Sequence, residues 1–246
     1  MGFLSGLAGR KAYTMHIKGN RLLDAKHPKE AAEAHKQAAQ LYEQAMAGGD
    51  RTPKYMLAYG ILLMRDRQFD KAHDMMLQTE KLKGLTADEK RQLRLNFAIC
   101  EWKLGHLDNA IAQMRTAAAD GMNGTIYGSL GYMLIEKAIQ TGDFGEATKF
   151  NEAALDYDDE DPVVLDNMGQ LNLAQGNRET ALEFFNKAHE EKPTQVDTLY
   201  YLAKLNAEDG NTDKAKAYLD DALSGNFSAL CTTTREMAQQ LRDSLN

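Results

Sequence analysis

PVVLDNMGQLNLAQGNRETALEFFNKAHEEKPTQ, residues 162–195, is the stretch whose reading decides the fold. Leu165, Met168 and Gly169 fall on one face of a helical segment, Gly176 interrupts it, and Ala181, Phe185 and Ala188 recur at helical spacing before Pro193 closes the phrase. A step of about 34 residues downstream, Leu199, Leu202, Ala203, Gly210, Ala215, Leu219 and Ala222 repeat the pattern. Upstream it returns at Leu134, Gly142, Ala147 and Ala154, at Phe97, Ala98, Gly105, Ala110, Met114 and Ala117, and at Met56, Tyr59, Gly60, Leu63, Ala72 and Met76. Residues 128–161 carry it less fully, since Gly131 and Asn151 stand where large apolar residues are expected. A fixed period of this length marks stacked helical pairs, none of which buries its own apolar face, so an elongated array is expected.

Composition agrees. Pro28, Pro53, Pro162 and Pro193 all fall where a helix begins or has just ended, where proline costs least. The reading is all-α: a right-handed solenoid of six antiparallel helix pairs over 12–52, 53–90, 91–127, 128–161, 162–195 and 196–229. An N-terminal basic and apolar segment, 1–11, precedes it and a capping helix, 230–246, follows. The first unit has Gly19 as its small residue and a second helix from Pro28 to Ala47, stopped by Gly48, Gly49 and Asp50. Thr233 and Glu236 have capping-box spacing, predicting a last helix from about Thr234 to Ser244 that covers the final repeat.

These phrases resemble the tetratricopeptide repeat family over roughly residues 12 to 229. The departures are Asn172 and Asn206 where the family usually has Tyr, and Asp159 and Phe227 where it usually has Pro. The resemblance implies a concave groove lined by the first helix of each pair and used to hold peptides or proteins. One branch of the family clamps acidic tails with Lys and Asn. Here His16, Ala58, Gln92 and Asn96 stand at clamp positions and only Asn20 matches, so the clamp is not carried over.

The positions the family uses to line the groove are Leu57, Ile61 and Met64, then Leu95, Ile99 and Trp102, then Tyr132 and Ile139. Their spacing of three and four puts each set on one helix face. An apolar strip there marks an interaction site, with Trp102 as the anchor; a tight stack would instead bury these residues between repeats.

Charge divides the chain. Residues 1–123 hold 19 Lys and Arg against 14 Asp and Glu, and residues 124–246 hold 10 against 22. That polarity favours charge-steered partners or head-to-tail contact between copies. From Met1 to Leu23 the charged residues are Arg10, Lys11, Lys18 and Arg21, with Phe3, Leu4 and Leu7 as a short apolar patch. This composition suits an anionic membrane surface, which gives the alternative reading of a membrane-surface adaptor. Against it stand the short apolar run and the helix-weakening Gly2, Gly6 and Gly9, so that packing onto the first repeat, or disorder, is the competing expectation.

Chemistry is expected to be absent: no catalytic residue, no metal and no cofactor. The histidines at 16, 27, 35, 73, 106 and 189 include no pair three or four apart, and none lies near a cysteine in sequence. Cys100 sits on a buried stripe with Leu93, Phe97 and Leu104, where a thiol acts as a small hydrophobe. The acidic run Asp156–Asp161 lacks the ligand spacing of a calcium loop and reads as a solvated connection. Overall acidity argues against nucleic acid. Two unpaired cysteines and no long apolar run set a cytoplasmic expectation, and the function expected is a protein-interaction scaffold.

Overall fold

The structure, a computed structural model, describes residues 2–245. Phe3 and Leu4, part of the expected apolar patch, have side chains outside the described residues. Thirteen helices and no strand occur among the described residues: α1 Gly2–Asp24, α2 Pro28–Ala47, α3 Pro53–Arg65, α4 Phe69–Glu80, α5 Ala87–Lys103, α6 Leu107–Ala119, α7 Gly124–Thr141, α8 Gly145–Tyr157, α9 Pro162–Ala174, α10 Arg178–Glu191, α11 Val196–Glu208, α12 Thr212–Ser224 and α13 Arg235–Ser244. They divide into two compact units, Met1–Gln113 and Met114–Asn246.

In the first unit α1 packs along α2, α3 packs on α4, and the first helices α1, α3 and α5 touch in sequence. Small residues make this possible. A Cβ on Gly19 would overlap the His35 ring, and one on Gly9 would overlap the Asp50 carboxylate and the Tyr55 ring. Gly9 and Gly19 are therefore contact points that let α2 and α3 approach, and their conformational cost within the helix is offset by the packing of Ala12, Ala31, Ala38 and Tyr42, all fully buried. Residues 2–24 form one continuous helix packed on the first repeat.

In the second unit α7, α9 and α11 pack on α8, α10 and α12. Gly131 and Asn151 compensate each other. The missing side chain leaves room for the Asn151 amide, which donates to the Gly131 carbonyl at 3.2 Å and to the Ala147 carbonyl at 2.9 Å. Beside it Asn167 Nδ2 donates to the Gly128 carbonyl at 2.8 Å, joining α9 to α7. Asn172 and Asn206, in place of tyrosine, turn back on their own helices and donate to the carbonyls of Met168 and Leu202, each at 2.8 Å.

The capping helix is one residue out of register with its expectation. The N-cap of α13 is Thr234, whose side chain accepts from Met237 N at 3.1 Å. Thr233 is instead drawn to the start of α11, where its N–H donates to Asp197 Oδ1 at 2.6 Å. Its helix does cover the last pair: Ala238 is buried against Ala203 and Leu219.

The turns between paired helices need one left-handed residue. Gly176 (φ 84°) and Gly210 (φ 77°) supply it in the second unit, but Lys26 (φ 61°) and Arg67 (φ 58°) do so in the first. A side chain in that region costs roughly 1–2 kcal/mol. Arg67→Gly should therefore raise stability toward urea by about 1 kcal/mol after the entropy cost of glycine. Conversely, Gly19→Ala should lower it by about 1–3 kcal/mol, because the His35 ring must move. Equal midpoints for wild type and either variant would refute the corresponding strain.

Candidate interaction surface

The residues expected to line the first-helix faces meet different fates. Leu57 (3% exposed), Met64 (4%) and Ile99 (5%) are buried. They belong to the core of the first unit, because α3 touches α1 and α5 on either side and closes over them. The expected open apolar strip is corrected to that extent. Ile61, Leu95 and Trp102 are half-buried on α3 and α5 of the first unit. The Lys103 ammonium lies 3.6 Å from the Trp102 ring centroid, so one face of the indole is covered by a cation. In the second unit Tyr132 is half-buried on α7, while Ile139, two turns further along the same face, is 60% exposed.

Sequence reasoning missed a polar cluster in the second unit. Asp166 on α9 is 2% exposed, and its carboxylate accepts from the neutral donors Thr198 Oγ1 at 2.7 Å and Gln170 Nε2 at 2.5 Å. Asp197, at the start of α11, accepts from Thr232 Oγ1 at 3.0 Å as well as from Thr233 N. Gln170 reaches the same loop, with Nε2 3.4 Å from Thr232 Oγ1. The segment after α12 is thus strapped to α9 and α11 by two carboxyl-bearing helices. Burial first, and then the Asp197 charge, hold the Asp166 carboxyl well above its usual range; burial also raises Asp197, against the pull of its Thr232 and Thr233 donors. The Tyr132 and Tyr201 hydroxyls are pushed up by burial and by the nearby acids. The signal available in sequence was two polar residues four apart, Asp166 and Gln170, on the first helix of a pair. Their partners at 198 and 232 lie too far along the chain for spacing to find.

Four of the histidines fall in two clusters, His73 with His106 and His16 with His35. Glu101, buried on α5, holds His73 of α4 on one oxygen and His106 of the following turn on the other, each at 2.7 Å. Burial, then the Arg65 and His35 charges, hold His16 down at about 4, and burial with Arg65 also lowers His35. Cys100 is buried, its thiol donates to the Phe69 carbonyl at 3.1 Å, and burial pushes it up to about 12. Among the described residues no group of three or more His, Cys, Asp or Glu is placed to hold a metal ion. In the acidic run, Asp161 caps α9 through Val163 N at 2.7 Å. Among the described residues no helix is long and apolar enough to cross a membrane.

Residues 172–227, spanning α10, α11 and α12, match the family model described as tetratricopeptide repeat. That stretch is identified as tetratricopeptide repeat. Solved tetratricopeptide-repeat structures share its all-α repeat fold. A chain of the APC/C hetero-tetramer Cut9–Hcn1 is similar over 96% of this chain, at 12% identity and a TM-score of 0.61. This chain spans less than half of that one, 46%. A thermophilic tetratricopeptide-repeat protein of Thermus thermophilus, TTC0263, matches 79% of this chain and 99% of its own, at 17% identity and a TM-score of 0.60. PilW, a type IV pilus biogenesis factor, matches 94% of this chain and 97% of its own, at 16% identity and a TM-score of 0.61. No curated protein matches in sequence.

The carboxyl cluster sets a pH dependence. Asp166 and Asp197 bind protons more tightly in the folded chain than in the unfolded one. Their contribution to stability is complete below about pH 4 and is lost as pH climbs through the carboxylate range toward neutrality. Asp166→Asn keeps the shape without the charge. It should raise the melting temperature at about pH 8 and change little at about pH 4, where the wild-type carboxyl is already neutral. A variant that melts earlier than wild type at the higher pH contradicts this account.

Proposed function

We propose that this tetratricopeptide-repeat chain is a non-catalytic scaffold that binds a peptide or protein partner on the faces of its first helices. The observation that carries the reading is Ile139, a large apolar side chain 60% exposed in line with Tyr132 on α7. Together with the half-buried Tyr132, it gives α7 an apolar surface that a partner would cover. The fold of a chain from the Cut9–Hcn1 hetero-tetramer supports an assembly role in general terms. Trp102, half-buried on α5, is the corresponding aromatic contact in the first unit. The buried Leu57, Met64 and Ile99 hold these helices in place.

The partner is a protein or peptide rather than nucleic acid, given a net charge of −7. Affinity capture from native lysate supplies it, and titration against wild type, Trp102→Ala and Ile139→Ser tests the reading. Loss of about 2 kcal/mol or more in at least one variant, with the circular dichroism of both unchanged, is the expected hot-spot outcome. Undiminished affinity in both variants would place the partner elsewhere.

A further inference from the structure

We propose that the outer face of α1 is a docking surface for an anionic lipid bilayer. At about 100° per residue, Leu7, Arg10, Lys11, Thr14, Lys18 and Arg21 fall within one sector of about 100° of the helix circumference. All six are exposed. The buried Gly9, Ala12, His16 and Gly19 lie on the opposite side, against α2 and α3. Packing onto the repeat and docking on a surface thus use different faces of one helix.

Four cations lie on this face and no acid does, since Asp24 is the first carboxylate of α1 and falls outside the sector. None of the four has an ion-pair partner among the described residues. From Arg10 to Arg21 the row is straight and about 16 Å long. A bilayer presents anionic headgroups in a plane, so such a row meets it without a complementary cavity. Leu7, 45% exposed within the same sector, adds an apolar contact at the headgroup level. Four cations on an otherwise acidic chain make a poor nucleic-acid site, where about 6–10 phosphate contacts are usual. An acidic protein would need carboxylates in register with the row, whereas lipids diffuse to meet it.

The experiment is sedimentation of the full chain with vesicles of phosphatidylcholine alone, or with about one third phosphatidylserine, at low and high salt. Binding should require phosphatidylserine and disappear at about 0.5 M salt, where the Debye length is well below 10 Å. Lys11→Gln/Lys18→Gln should weaken partitioning about fivefold per cation removed. Lys81→Gln/Lys83→Gln changes net charge equally, away from α1, and should leave partitioning unchanged. Circular dichroism checks folding; if the first pair unfolds, Arg10→Gln/Arg21→Gln takes its place. The proposal is overturned by an empty vesicle pellet at low salt, by equal losses in the α1 and control variants, or by salt-insensitive pelleting. An empty pellet accompanied by binding to an RNA oligomer, or by salt-sensitive self-association, would reassign the face to that anion. These outcomes are read on α1, whereas the scaffold reading is tested at Trp102 on α5 and Ile139 on α7, so the failure of one is distinguishable from the failure of the other.

Discussion

Close approach between a side chain and a helix backbone that carries no Cβ is the constraint on which this fold depends. At Gly169 the Phe185 ring lies so near α9 that a Cβ would stand 2.6 Å from its Cε1. At Gly60 the contact with Met76 is looser, at 3.3 Å, and still tighter than most. Paired helices held this close leave little space for alternative rotamers, so core volume is set locally within each pair. The larger residues between pairs then determine how neighbouring pairs stack.

Much of this was legible in the sequence because the constraint is short-range. Gly176, Ala181 and Phe185 lie within one period, and a helix pair does flank Gly176, α9 before it and α10 after it. The polar compensation was not legible. Asn151 reads as a defect in an apolar pattern until Gly131, twenty residues earlier, is found to have vacated the space its amide occupies. Similarly, Thr233 and Glu236 satisfy the spacing of a cap, but the carboxylate of Asp197 competes for the Thr233 backbone and moves the cap to Thr234. Local pattern names the helix; a distant charge chooses its first residue.

The surface was only partly readable for a related reason. Helix periodicity assigns Leu57, Ile61 and Met64 to a face, and it is blind to whether a neighbouring first helix covers that face. Contact of α3 with α1 and α5 buries two of the three. Ile139 and Trp102 keep exposure because of what does not pack over them, which no spacing encodes. The carboxyl cluster shows the same limit, joining residues 166, 170, 197, 198 and 232.

The histidine pair of the first unit has a further consequence when set beside the carboxyls of the second. His16 and His35 are held neutral in the folded chain, so the stability they contribute is full above about pH 6.5 and drains away as pH falls toward 4. Asp166 and Asp197 act in the opposite sense over an overlapping range. Acidification therefore disfavours the buried surroundings of His16 and His35 while it relieves the cost of burying Asp166 and Asp197. Proton binding thus enters the free energies of these two clusters with opposite sign.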